Sequence, residues 1–119
     1  MLNYAQINVI DFERSARFYD AMLGPLGWRR QGESGASSSW GLQKPAFMIN
    51  ESASSRPGWG LISFPGKSIP AVKAAYGAAI EAGGESVSEP GATPSVGLGS
   101  YCCQVRDPDG YLIEVAVSN

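Results

Sequence analysis

The stretch Asp-Pro-Asp-Gly-Tyr-Leu-Ile-Glu-Val-Ala-Val, residues 107–117, sets one carboxylate, Glu114, inside an otherwise apolar run. A carboxyl group in such a place can act as a general base, a hydrogen-bond anchor or a metal ligand. Which of these it does depends on its neighbours, and the choice is narrow. The 119-residue sequence contains no histidine, which excludes Ser-His-Asp and Cys-His catalysis and any zinc site built on imidazole. The two cysteines, Cys102 and Cys103, are adjacent. On a strand they point to opposite faces, so they are expected neither to bridge nor to share a metal. Reduced thiols fit a reducing compartment. Chemistry is left to carboxylates, tyrosine, lysine, single thiols and bound water.

Other polar and aromatic residues could share a site with Glu114. In the first segment, Ala5, Ile7 and Val9 alternate with Tyr4, Gln6 and Asn8. The polar set therefore lies on one strand face, either in a cavity or against solvent. Trp40, Met48, Trp59 and Tyr101 could line an apolar pocket for a planar ligand, although aromatics in a small domain more often fill the core. Trp28 is expected to pack behind a helix. Lys67 and Arg106, near element ends, could hold an anion, but exposed surface charge is the ordinary explanation. Residues 107–110 lack the spacing and the distal glutamate of a calcium loop. Asp, Pro and Gly each favour a turn, so this stretch is assigned to one.

The elements that must hold these residues can be read from patterning. Hydrophobic residues make up 44% and charged residues 17% of the chain, a globular composition. Net charge is −2 with no Lys/Arg run, which argues against nucleic acid and anionic membranes as partners. No apolar stretch approaches the roughly 20 residues that a bilayer requires. The N-terminus lacks the basic start and apolar core of a signal peptide, so a cytoplasmic location is expected. After the first strand, Asp11 is a helix N-cap candidate, and Ala16, Phe18, Tyr19, Met22 and Leu23 form an apolar stripe that Gly24-Pro25 ends. Short strands are expected at 26–30, 38–42 and 46–50. Residues 51–58 read as a linker. A strand at 60–64 follows, and then a helix with Ser68 as N-cap and Pro70 in its first turn. A short strand at 85–88, a loop over 89–99 and two strands at 100–106 and 111–117 complete the chain.

The order is β-α-β-β-β twice. The text FYDAML at 18–23 matches AYGAAI at 75–80, and the same offset sets Asp11 against Ser68. An internal duplication is the natural reading, with module one over 1–50, linker 51–58 and module two over 59–119, in one domain.

The pieces INVIDFERSARFYDAMLGPLGW (7–28), AVKAAYGAAIEAGGE (71–85) and VRDPDGYLIEV (105–115) resemble the vicinal oxygen chelate superfamily, which includes glyoxalase, bleomycin-resistance and extradiol dioxygenase proteins. The resemblance implies an α+β fold in which two tandem βαβββ modules form a curled mixed sheet around a cavity. It also implies a homodimer, with cavities at or near the subunit interface. Relatives usually hold a divalent ion through His, Gln or Glu on the first and last strand of each module. Carried over, those four places fall on Tyr4, on Phe47, Met48 or Ile49, on Leu61, and on Glu114. Only Glu114 matches in kind, so no metal ligand set and no cofactor are expected. The resulting expectation is a metal-independent small-molecule binding protein, with Tyr4, Gln6 and Glu114 as polar anchors. Asn8, Trp40, Met48, Trp59, Leu61 and Tyr101 would line the cavity. The alternative is a lyase or dioxygenase-type enzyme using Glu114 as general base or residual metal ligand. A third possibility is a structural homodimer, with Glu114 bonded across the sheet to Tyr4 or Gln6.

Overall fold

The computed structural model describes residues 5–53, 61–93 and 99–117. Each module begins with a strand that feeds a helix through a side-chain cap. Strand β1 (Ala5–Val9) leads to α1 (Phe12–Leu23), where Asp11 accepts the Arg14 amide at 3.1 Å. Strand β5 (Leu61–Pro65) leads to α2 (Ile69–Glu81), where Ser68 Oγ accepts the Ala71 amide at 3.1 Å. These caps satisfy amides that have no partner within the helix. Three strands follow each helix: β2 (Arg29–Ser34), β3 (Ser37–Gly41) and β4 (Phe47–Glu51), then β6 (Glu85–Ala92), β7 (Tyr101–Arg106) and β8 (Leu112–Val117).

Two boundaries differ from the patterning. Residues 24–26 form a 3-10 turn, with Pro25 near its start, so β2 begins at Arg29. Proline suits the first turn of a helical segment and delays the strand. Strand β6 runs on through Pro90 to Ala92, over residues that read as loop. It lies at the edge of its sheet, with register breaks between Ser86 and Ser88 and between Ser88 and Gly91. Edge position and bulges are where a strand tolerates a missing N–H. Within the expected linker, Glu51 closes β4, and residues 54–58 lie outside the described residues.

The strand orders are β1-β4-β3-β2 and β5-β8-β7-β6. The β1–β4 and β5–β8 pairs are parallel and the others antiparallel, so the duplicated sequence gives a duplicated mixed sheet. The two sheets remain separate, and no barrel closes among the described residues. The modules are joined through their cores. Helices α1 and α2 pack together, and Phe64 of β5 stacks edge-on against Phe47 of β4 at 5.1 Å and against Trp28 at 5.4 Å. Trp28 is thus at the module junction. Gly84 is the other close approach: a Cβ there would lie 2.8 Å from the Phe18 ring of α1. Among the described residues, no helix is long and apolar enough to cross a membrane.

The turn between β7 and β8 also binds module one. Gly110, at φ 100°, donates its amide to Asp107 O at 2.9 Å, which closes the turn expected there. Both aspartates then reach outward. The Tyr19 hydroxyl donates to Asp107 Oδ2, while Asp107 Oδ1 accepts the amides of Asp109 and Tyr111, each at 2.9 Å. Asp109 accepts the Ile10 amide at 2.8 Å, Arg14 Nη2 at 2.8 Å and Ser15 Oγ at 3.3 Å. The Tyr111 hydroxyl donates to Asn8 O at 2.8 Å. Acidity in this turn therefore holds the β1–α1 junction of the other module, beyond its role in forming the turn.

Candidate functional site

Each sheet has one face against the helices and one without them. Alternation sends Ile7, Val9, Phe47 and Ile49 into the core of module one. Their neighbours Gln6 and Asn8 on β1 lie beside Met48 and Asn50 on β4, and beyond them Ser39 and Ser37 on β3. This open face carries neutral polar groups around one thioether. A shallow depression of about 260 Å³ beside Met48 is walled by the serines of the β2–β3 hairpin together with Glu33.

In module two, Phe64, Cys103, Val105, Ile113 and Val115 are buried. The opposite parity builds the other open face. Leu61 pairs with Leu112, Ser63 with Glu114, and Cys102 with Ala116; Gln104 flanks Glu114 on its other side. Glu114 is half-buried in the middle of this face. Ser63 Oγ donates to Oε1 at 2.9 Å, and Gln104 Nε2 donates to Oε2 at 3.3 Å. Among the described residues Glu114 is thus held by Ser63 and Gln104, with the Cys102 thiol beside it. Gln6 belongs to the other sheet, and Tyr4 lies outside the described residues. A pocket of about 160 Å³ opens beside the carboxylate, bordered by Thr93, Ser100, Cys102 and Ala116. Burial, and then the charge of Glu114, push the Cys102 thiol above its ordinary range. Burial takes Cys103, on the helix side, up to about 11.

The expected site residues therefore divide. Gln6, Asn8 and Met48 share the open face of the first sheet, and Leu61 and Glu114 share that of the second. Trp40 is fully buried on the helix side, where its indole N–H donates to Asp20 at 2.9 Å. Tyr101 alternates with Cys102 and packs against the core, while bordering one end of the Glu114 pocket. Trp59 lies outside the described residues. Ser63, Gln104 and Cys102 complete the surroundings of Glu114, and none of them has a signature in the sequence. Only the pairing register of three strands brings them together.

Among the described residues, the groups around Glu114 are a poor fit for a divalent ion. Among the described residues, no three His, Cys, Asp or Glu side chains converge. Around Glu114 stand an alcohol, a primary amide and a thiol, and the thiol is held protonated. A hard ion needs several oxygen ligands, and zinc needs a thiolate or imidazole set.

Comparison with known proteins places this architecture. A glyoxalase/bleomycin resistance protein from Albidiferax ferrireducens T118 is 28% identical, with a TM-score of 0.84 over 100% of this chain and 99% of that one. A glyoxalase-related enzyme from Fulvimarina pelagi is 21% identical, with a TM-score of 0.75 over 97% and 86%. The fosfomycin resistance protein FosX from Mesorhizobium loti is 13% identical, with a TM-score of 0.72 over 100% and 92%. The last two show the shared fold. A search of the curated proteins found no match. The model of one family matches residues 1–115. The chain, with its paired βαβββ modules, belongs to the Glyoxalase/Bleomycin resistance protein/Dioxygenase superfamily.

Proposed function

We propose that the protein binds a small organic molecule, without a resident metal, on the open sheet faces around Glu114. The observation that carries this reading is Glu114 itself: a half-buried carboxylate beside a pocket, held by neutral donors alone among the described residues. A carboxylate in that setting can accept further hydrogen bonds from a ligand. Leu61, Leu112 and Ala116 on the same face supply apolar contact.

The same reading includes a homodimer. Each open face is a single sheet surface, and β1 and β5 are both unpaired edges among the described residues. Such edges are ordinarily covered. A second copy would bring the neutral face of Gln6, Met48 and Asn50 toward the face of Glu114, enclosing a ligand between them. Leu61, 46% exposed at the β5 edge, would be buried in that assembly.

A thermal-shift screen of planar and amphipathic metabolites on chelator-treated protein tests the proposal. The expected result is at least one stabilising ligand whose effect survives chelator and weakens in Glu114→Gln. A screen with no hit at high micromolar concentration, or stoichiometric metal that disappears in Glu114→Gln, would overturn it.

A further inference from the structure

The charge balance around Glu114 narrows the ligand class, on the reading that this face is a small-molecule site. Ser63 donates to one carboxylate oxygen and Gln104 to the other, and both donors are neutral. A carboxylate offers about four acceptor positions, so each oxygen retains capacity. The third polar neighbour, Cys102, is a weak donor whose thiol feels the charge of Glu114. Among the described residues, no Lys or Arg pairs with Glu114. The ion pairs among the described residues join Arg14 to Asp109 across the modules, and Arg30 to Asp20 and Glu33 within module one. Arg106, on the same strand as Gln104, donates its guanidinium to Gly110 O at 2.9 Å. A half-buried negative charge thus faces a pocket with no cation against it among the described residues. Removing a charge from water is unfavourable unless something compensates for it.

We infer that the Glu114 pocket selects ligands bearing a compact organic cation, an ammonium group on an apolar body, over neutral and anionic molecules. About 160 Å³ suits such a headgroup. The ammonium would donate to the open acceptor positions of Glu114, and Tyr101, Ala116 and Val117, which line the pocket, would take the apolar body. A partly buried pair is screened less than an exposed one, so the attraction gains where water is displaced. An anion would meet like charge at the same place.

The test uses one aromatic body with three charges: benzylamine, benzyl alcohol and benzoate. Each is titrated at neutral pH into the full, chelator-treated chain and followed by two-dimensional amide NMR. Benzylamine is expected to bind more tightly than benzyl alcohol by about tenfold, a discrimination of the size one charge-assisted hydrogen bond supports. Its shifts should centre on Ser63, Cys102, Gln104 and Glu114, and benzoate should not saturate. The amine preference should vanish in Glu114→Gln, whose spectrum also reports whether it folds. In the wild type, binding of the amine alone should weaken as ionic strength rises to about 0.5 M, which tests the charge pair without any substitution. Equal binding of the alcohol or the acid, or an amine preference indifferent to both salt and Glu114→Gln, would overturn the charge inference and leave the binding site standing. No shift from any of the three would overturn the inference together with the reading beneath it.

Discussion

Glu114 accepts bonds from Ser63 and Gln104 and adds to the effect of burial in raising the Cys102 thiol beside it. The field at this spot can therefore be read through cysteine chemistry. At mildly alkaline pH, iodoacetamide should alkylate Cys102 more slowly than an unperturbed cysteine, because burial and a neighbouring negative charge both disfavour the thiolate. Glu114→Gln should accelerate Cys102 severalfold, while Cys103, buried and pushed up to about 11, stays unreactive in the folded protein. Peptide mass spectrometry reads both rates, and an unchanged Cys102 rate in the variant would count against the proposed field. Glu114 was legible in the sequence because a charge interrupts an apolar strand. Its partners were not, since Ser63 lies 51 residues away and meets it only through parallel pairing. Trp40 shows the opposite limit. An indole is equally at home in a pocket wall or a core, and here Asp20 takes its N–H while Arg30 lies 5.4 Å over its ring.

At the scale of elements, local rules did well where one side chain finishes one helix. Asp11→Ala and Ser68→Ala should each lower stability by about 1 kcal/mol in chemical denaturation, the usual effect of losing a cap. The same rules recognise the β7–β8 turn but not its reach, because α1 is far away in sequence. Tyr19 is fully buried, and burial followed by the charge of Asp107 holds its phenol well above the ordinary value of 10.0. The folded state therefore binds that proton more tightly than the unfolded chain does. Its contribution is complete below the ordinary phenol value and is lost as pH rises from there through the folded value. Stability should fall above about pH 10, and Tyr19→Phe should flatten that fall. At neutral pH the same variant should be less stable by about 1–3 kcal/mol, the range for a lost hydrogen bond to a charged group. Denaturant midpoints across pH 8 to about 11 measure both effects. The full length of strand β6 is hidden in the sequence for a related reason: Pro90 and Gly91 break the strand pattern, and only edge position with bulges makes them tolerable.

For the whole molecule, the duplicated β-α-β-β-β order and its matched caps mark two modules, while the mixed sheets that they form follow from the family resemblance and not from the residue pattern. How the modules meet was hidden, because Phe47, Phe64 and Trp28 have no pattern that marks them as a junction. Phe64→Ala should remove about 3–5 kcal/mol and destabilise both modules in one transition, because the contact belongs to a shared core. Separate transitions in thermal scans of the wild type would contradict that core. The central claim, a metal-independent ligand site on the face of Glu114, is tested most directly by amide NMR in excess chelator, using a ligand found by thermal shift. The account predicts saturable shifts on Ser63, Cys102, Gln104 and Glu114, unchanged by chelator and lost in Glu114→Gln. Binding that vanishes with chelator and returns with a divalent metal, or shifts confined to surfaces away from these residues, would contradict it.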